Sequence, residues 1–183
     1  MTTKNDADDP DHKEPISSDE FHVREPEKRD LPAMIELLTR TQTDHFERQP
    51  HIFCKAEDKR VIRKYFSHVI KRRFRWKHQN LFGLVVENGN EFAGYILYHF
   101  IDRPGFLVKA ETLYWIYDIA VTPKYEGTGA AALLLEKLKE NVDQEAINAI
   151  ECTVWSGNER SRNFFEKQGF NKKSESFRFA LDD

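Results

Sequence analysis

The chain has 183 residues, with 28 Lys and Arg against 31 Asp and Glu and a net charge of −3. That length suits one domain, and the charge excludes strong attraction of the whole chain to nucleic acid or to an anionic membrane. Fourteen Phe, six Tyr and three Trp can fill one ordinary core, while the two cysteines, Cys54 and Cys152, build no disulfide framework and fit a reducing compartment.

Residues 1–20 hold seven acidic side chains and almost nothing apolar. Such a segment cannot bury enough surface to offset its ordering entropy, so it reads as a disordered acidic tail ahead of a domain over residues 21–183. No apolar run approaches membrane-spanning length, and no basic start with an apolar stretch marks a signal peptide; a soluble, cytoplasmic protein is expected. Phe21–Arg24 reads as a short strand. Asp30 is then expected to cap a helix with Pro32 in its first turn and Leu31, Met34, Ile35 and Leu38 as the apolar stripe. A second helix is predicted from about Glu57 to Arg75. Strands Leu81–Glu87 and Glu91–Phe100 follow, joined at Asn88-Gly89, a strong hairpin signal. After a turn at Asp102–Gly105, Glu111–Val121 reads as a long strand, Gly127–Asn141 as a helix and Asn148–Trp155 as a strand. A short helix over Asn158–Gln168 ends at Gly169, and Ser174–Leu181 is expected as a closing strand with Phe177 and Phe179 alternating. This order predicts an α/β fold: a mixed, mostly antiparallel sheet with about four helices on its faces.

The sharpest feature is the strand-to-helix passage Val121-Thr122-Pro123-Lys124-Tyr125-Glu126-Gly127-Thr128-Gly129-Ala130-Ala131-Ala132. Its small residues leave the N–H groups of a helix N-terminus uncovered, and those groups together with the helix dipole suit a phosphate or pyrophosphate. A helix that merely starts with glycine does not account for two glycines, which are poor helix starters. The spacing also satisfies the dinucleotide-binding pattern, with Glu151 near the expected distance. Against that reading, Thr122–Glu126 separate strand from glycine, only residues 130–183 follow the loop, and Glu151 lies inside the next predicted strand. A P-loop is excluded, since no Lys-Ser/Thr pair follows the glycines.

Together with Asn158-Glu159-Arg160-Ser161-Arg162-Asn163-Phe164-Phe165-Glu166-Lys167-Gln168-Gly169-Phe170, this loop resembles the two motifs of the GNAT superfamily of N-acetyltransferases. That family carries Arg/Gln-x-x-Gly-x-Gly/Ala after a Val-x-Pro stretch, and later Asn-x-x-Ala-x-x-Phe-Tyr-x-x-x-Gly-Phe. The resemblance covers the chain from Phe21 to its end, and it implies acetyl-CoA as co-substrate. Its pyrophosphate would lie on Gly127, Thr128, Gly129, Ala130 and Ala131 next to Glu126. Its pantetheine arm would pair with the edge of Ile119, Ala120 and Val121, with Asn158 and Phe165 on the other side.

The implied reaction is transfer of an acetyl group to a primary amine by direct attack in a ternary complex. A backbone N–H at Ile119–Val121 would bind the oxyanion, a contribution of roughly 3 kcal/mol. Asp118 is the candidate base, with Tyr117 beside it where some relatives carry Glu. Because neighbouring strand residues face opposite sides, only one of the two is expected to face the thioester. Glu111 and His99 are weaker candidates on adjacent strands. Two residues depart from the family pattern. Glu126 stands where relatives hold Arg or Gln, so Glu126→Arg is expected to tighten coenzyme binding. Phe165 stands where many relatives hold the Tyr that protonates the leaving thiolate. These departures leave a catalytically silent acyl-CoA-binding module as the alternative.

The resemblance also makes the region of His45, Phe46 and Phe53 the acceptor-site candidate, for a small-molecule or peptide amine. Dimers are common among family members, so a homodimer is compatible. The basic run from Lys71 to His78 reads as a solvated helix end, and no nucleic-acid or membrane partner is expected. The His and Cys residues lack metal-ligand spacing, so no metal is expected. Cys152, in a core strand, reads as buried.

Overall fold

Runs rich in aliphatic and aromatic residues over 79–88, 91–103 and 111–121 form three consecutive antiparallel strands, and the rest of the sheet is added to them. In this computed structural model the described residues are 20–55, 60, 62–64, 66, 75–76, 79–142 and 147–181. The strands are β1 (Phe21–Arg24), β2 (Arg75–Trp76), β3 (Gln79–Asn88), β4 (Glu91–Arg103), β5 (Glu111–Val121) and β6 (Ala149–Cys152). They run in the order β1-β3-β4-β5-β6, with β2 paired to the start of β3. All pairings are antiparallel except β5 with β6, which are joined by a helical crossover as a parallel pair requires. The helices are α1 (Leu31–Arg48), α2 (Ala130–Val142) and α3 (Glu159–Lys167), and Arg60, Ile62, Arg63, Lys64 and Phe66 are also helical. The fold is therefore the expected mixed, mostly antiparallel α/β sheet with helices on both faces.

The central strand β4 is buried on both sides. Tyr95 and Leu97 meet Met34, Ile35 and Leu38 of α1 together with Phe66. Ile96 and Tyr98, on the opposite face, meet Leu134, Leu135 and Leu138 of α2 and Phe165 of α3. Leu134, Leu135 and Leu138 are fully buried, so truncating any one of the three to Ala costs about 2–5 kcal/mol. That packing fixes the glycine loop at the head of α2 rigidly against the sheet.

Four expectations are corrected. Asp30 stands at the N-cap position of α1 as expected, but its side chain makes no cap hydrogen bond; its carboxylate accepts from the Glu27 amide at 2.7 Å and from both terminal nitrogens of Arg24. Arg24 also binds Glu87 at 2.7 Å, tying β1 to β3. Arg75 is a strand residue, not a helix end, because Arg75-Trp76 finds a ladder against Gln79-Asn80. The strand predicted to reach Trp155 stops at Cys152, where it leaves β5. Residues 174–181 alternate like a strand but form none: Phe177 and Phe179 are 90% and 88% exposed. Alternation gives a segment two faces, yet only a neighbouring ladder makes it a strand. The predicted acidic tail lies outside the described residues except for Glu20, and so does most of the basic run.

Candidate active site

The site begins where the sheet divides. Strand β6 pairs with β5 only from Leu113↔Ala149 to Ile116↔Cys152. Beyond that point β5 continues to Val121 with β4 alone. The Ala120 carbonyl points at β4, 2.5 Å from where a Cβ on Gly94 would stand, and the Thr122 amide donates to the Ala93 carbonyl at 2.8 Å. By alternation the backbone groups of Ile119 and Val121 face the divided side, while those of Ala120 serve the β4 ladder. An exposed run of strand edge thus leads straight to the glycine loop.

In that loop Gly127 and Gly129 have φ of +80° and +93°, a region that L side chains rarely adopt. A Cβ on either would meet nothing within 4 Å, so the space over the loop is open. Thr128 folds inward, its Oγ1 donating to the Tyr125 carbonyl at 2.7 Å. Ala130 opens α2, whose first N–H groups have no acceptor inside the helix. The residues present therefore fit a phosphate-bearing ligand: glycine backbone, open space and unpaired donors coincide.

A β-bulge shapes the divide. The register steps from Leu97↔Asp118 to Tyr98↔Ile116, making Tyr117 the extra residue. Two consecutive side chains consequently lie on one face, contrary to the strict alternation expected from the sequence. The Tyr117 ring meets His99 edge-on at 5.5 Å, and Asp118 accepts from the Tyr95 hydroxyl at 2.5 Å. His99 and Tyr95 share the α1 face of β4. Burial pushes the Asp118 carboxyl up to about 6, against the opposing pull of the Tyr95 hydroxyl and the Ile119 amide. Burial also holds His99 below the usual histidine range.

The weaker base candidate Glu111 is taken up elsewhere. It accepts from Arg103 at 2.8 Å, at the far end of β5 and about 26 Å from Ile119 along the strand. Glu151, the residue of the dinucleotide reading, is bound by Arg103 and Lys173 and held at about 2. Cys152 is half-buried, and burial pushes its thiol up to about 11. Among the described residues no group of three or more His, Cys, Asp or Glu is placed to hold a metal ion.

On the other wall, Asn158 caps α3, its Oδ1 accepting from the Ser161 amide at 3.2 Å. Phe165 is buried, with Phe164 and Phe170 against its ring at 5.2 and 5.1 Å. Glu126 is not alone: Arg160 of α3 lies 2.9 Å and Arg40 of α1 3.6 Å from its carboxylate. Of the acceptor-site candidates, His45 stacks on Phe53 at 4.9 Å, and Phe53 meets Trp155 at 4.8 Å. Phe46 stands apart under the Lys55 ammonium. Gln49 donates to the Ser156 carbonyl at 2.6 Å, so the end of α1 is tied to the loop after β6. Sequence reasoning missed Tyr95, Trp155, Arg40 and Arg160. Trp155 alone carried a usable signal, a large aromatic just past a strand end.

These features agree with what the chain is similar to. A family model described as the acetyltransferase (GNAT) family matches residues 31–170. No curated protein sequence matches. Among solved structures, a tetramutant of the BH1408 protein from Bacillus halodurans is 20% identical with a TM-score of 0.76, covering 87% of this chain and 99% of that one. A predicted acetyltransferase from Clostridium acetobutylicum, solved with acetyl-CoA, is 18% identical with a TM-score of 0.64 over 88% of this chain and 96% of its own. An aminoglycoside 6'-N-acetyltransferase from Acinetobacter haemolyticus is 10% identical with a TM-score of 0.66, over 88% and 99% respectively. At these identities the structures share the fold, and the family match over most of the domain adds the assignment: the chain belongs to the GNAT acetyltransferase family.

Proposed function

We propose that this protein is an N-acetyltransferase that moves an acetyl group from acetyl-CoA to a primary amine by direct attack within a ternary complex. The observation that carries the reading is the divided sheet, whose free β5 edge runs into the open glycine loop. The coenzyme supplies an acetyl thioester, a good acyl donor. The backbone edge from Ile119 to Val121 holds the pantetheine arm as an added strand would be held, and the Val121 amide donates to the oxygen that gains charge as the amine attacks. The N–H groups of Gly127, Gly129, Ala130 and Ala131 hold the pyrophosphate, the Thr128 amide being turned to the Tyr125 carbonyl.

An alkylamine has a pKa of about 10 and must lose its proton before or during attack. Asp118 accepts that proton, directly or through a water. A carboxyl at about 6 is ionised at neutral pH yet more basic than an exposed aspartate. Tyr95 holds the carboxylate in place. Phe165 offers no hydroxyl, so water protonates the thiolate, which with a pKa of about 8.5 is an acceptable leaving group. The acceptor amine enters past His45, Phe53 and Trp155, and the acetyltransferase of aminoglycosides among the fold relatives supports a small-molecule amine.

The buried Phe165 favours a second reading, a module that binds acyl-CoA without turnover. Calorimetry with acetyl-CoA, followed by a thiol-release assay across polyamines, amino acids, aminoglycosides and peptide N-termini, tests both. Binding with amine-dependent thiol release is expected. Binding without release by any amine would favour the silent module, and absence of binding would end both readings.

A further inference from the structure

Two cations converge on one anion beside the glycine loop. Glu126 precedes Gly127 directly, and a lone carboxylate there would repel a pyrophosphate. Arg40 reaches it from α1 and Arg160 from α3, at 3.6 and 2.9 Å, from elements on either side of the loop. Among the described residues neither guanidinium has another carboxylate partner. The trio therefore keeps one uncompensated positive charge, the same charge that a family Arg at position 126 would bring.

Stability does not explain the cluster. The Arg40 and Arg160 side chains are 45% and 65% exposed, and ion pairs in such positions contribute little. What the arrangement does accomplish is orientation. A guanidinium offers five N–H donors in a planar fork suited to phosphate oxygens, and one contact to Glu126 leaves most of them available. Glu126 gathers two flexible cations from separate helices and holds them beside the uncovered N–H groups of α2.

On the reading of the loop as a coenzyme site, we propose that Arg40 and Arg160, positioned by Glu126, bind the phosphates of acetyl-CoA and give this chain the cation that position 126 lacks. They make the enzyme selective for phosphate-bearing donors over the same thioester on a phosphate-free carrier. Glu126 is a positioning residue, acting through the two arginines.

The test compares wild type, Arg40→Ala, Arg160→Ala and the double variant, with circular dichroism confirming the fold. Donors are acetyl-CoA, its 3′-dephospho form and S-acetylpantetheine. Arg160→Ala should weaken acetyl-CoA binding about tenfold, Arg40→Ala less, and the double variant most, while kcat/KM for S-acetylpantetheine stays unchanged. A defect that persists with the 3′-dephospho donor assigns the contact to the pyrophosphate; one that disappears assigns it to the 3′-phosphate. Glu126→Arg should restore affinity in the double variant but give no gain in wild type, where it removes the anchor as it adds a cation. Unchanged acetyl-CoA affinity in the double variant, an equal loss with S-acetylpantetheine, or a tenfold gain from Glu126→Arg alone would each overturn the proposal while leaving the coenzyme site intact. Failure of wild type to bind acetyl-CoA would instead remove the reading on which it rests.

Discussion

Asp30 is a buried carboxylate and Asp118 a partly buried one, and the protein treats them oppositely. Burial alone would push either one up. At Asp30 the Arg24 guanidinium, the Glu27 amide and the nearby Arg29 outweigh burial and hold the carboxyl below its ordinary range. At Asp118 a tyrosine hydroxyl and one amide are all that oppose burial, no cation is paired with it among the described residues, and its pKa rises to about 6. One arginine separates a fixed charge that pins two elements together from a group free to exchange a proton near neutral pH. The consequences for stability have opposite signs. Asp30, and with it Glu87, stabilises the fold above about pH 4, and that contribution is lost as pH falls through their depressed pKa values. The Asp118 contribution is complete below about pH 4 and disappears as pH rises through about 6.

The harshest way to break this contrast is Arg24→Ala, which takes the bound guanidinium from buried Asp30 and leaves Glu87 with Arg29 alone. It should cost about 3–5 kcal/mol, read as a drop in the urea midpoint at pH 7, and the loss should shrink as pH falls below about 4 and the carboxylates are protonated. A loss that does not depend on pH would mean that packing, not charge, is at stake. Asp118→Asn addresses the other half. It should lower kcat/KM about 100-fold and abolish the acidic limb near pH 6 of the rate profile, while stability at pH 8 holds or rises because a desolvated charge is gone. A lower melting temperature with full activity would make Asp118 a structural carboxylate like Asp30. The glycine loop sharpens the comparison from outside, since on the proposed reading it meets an anion with backbone N–H groups where Asp30 meets a cation with a carboxylate. Gly129→Val should weaken acetyl-CoA at least tenfold by calorimetry while the far-ultraviolet dichroism is kept. The smallest effect belongs to Arg160→Ala, whose exposed ion pair should change stability by less than about 1 kcal/mol in the same urea titration.

The parts that were legible in the sequence depend on residue identity over a short span. Gly127, Gly129, Asn158 and Gly169 each answer a local demand, a positive φ or an N-cap, that few other residues meet. The stripe of α1 and the apolar and aromatic runs of β3 to β5 are equally local. What escaped reading depends on which strand or helix lies opposite. Asp30 looks like a cap until Arg24 and Glu87 are brought to it, and Glu87 is 63 residues from Arg24 in the chain. The bulge at Tyr117 has no sequence mark, because it exists only as a mismatch against β4. Glu126 reads as a repulsive defect from its neighbours in sequence, and as the anchor of two cations from its neighbours in space. Residues 174–181 erred the other way, carrying a strand's pattern with no ladder beside it.

The division between β5 and β6 also bears on what the sheet must keep out. Unpaired strand edges invite other strands, and proteins ordinarily hide them at a border with charges, prolines or covering loops. Here the edge of Ile119 and Val121, without a ladder partner among the described residues, lies in the interior of the sheet order, with β4 behind it and β6 ending at Cys152 before it. A foreign strand brings side chains on both faces and needs a longer free edge than the few residues from Tyr117 to Val121 provide. A thin unbranched chain with amide groups can slide in endwise. The shortness of the edge thus limits an aggregation hazard, and hydrogen exchange should register its use: the Val121 amide should exchange quickly in the free protein and slowly once an amide-bearing chain lies along the edge.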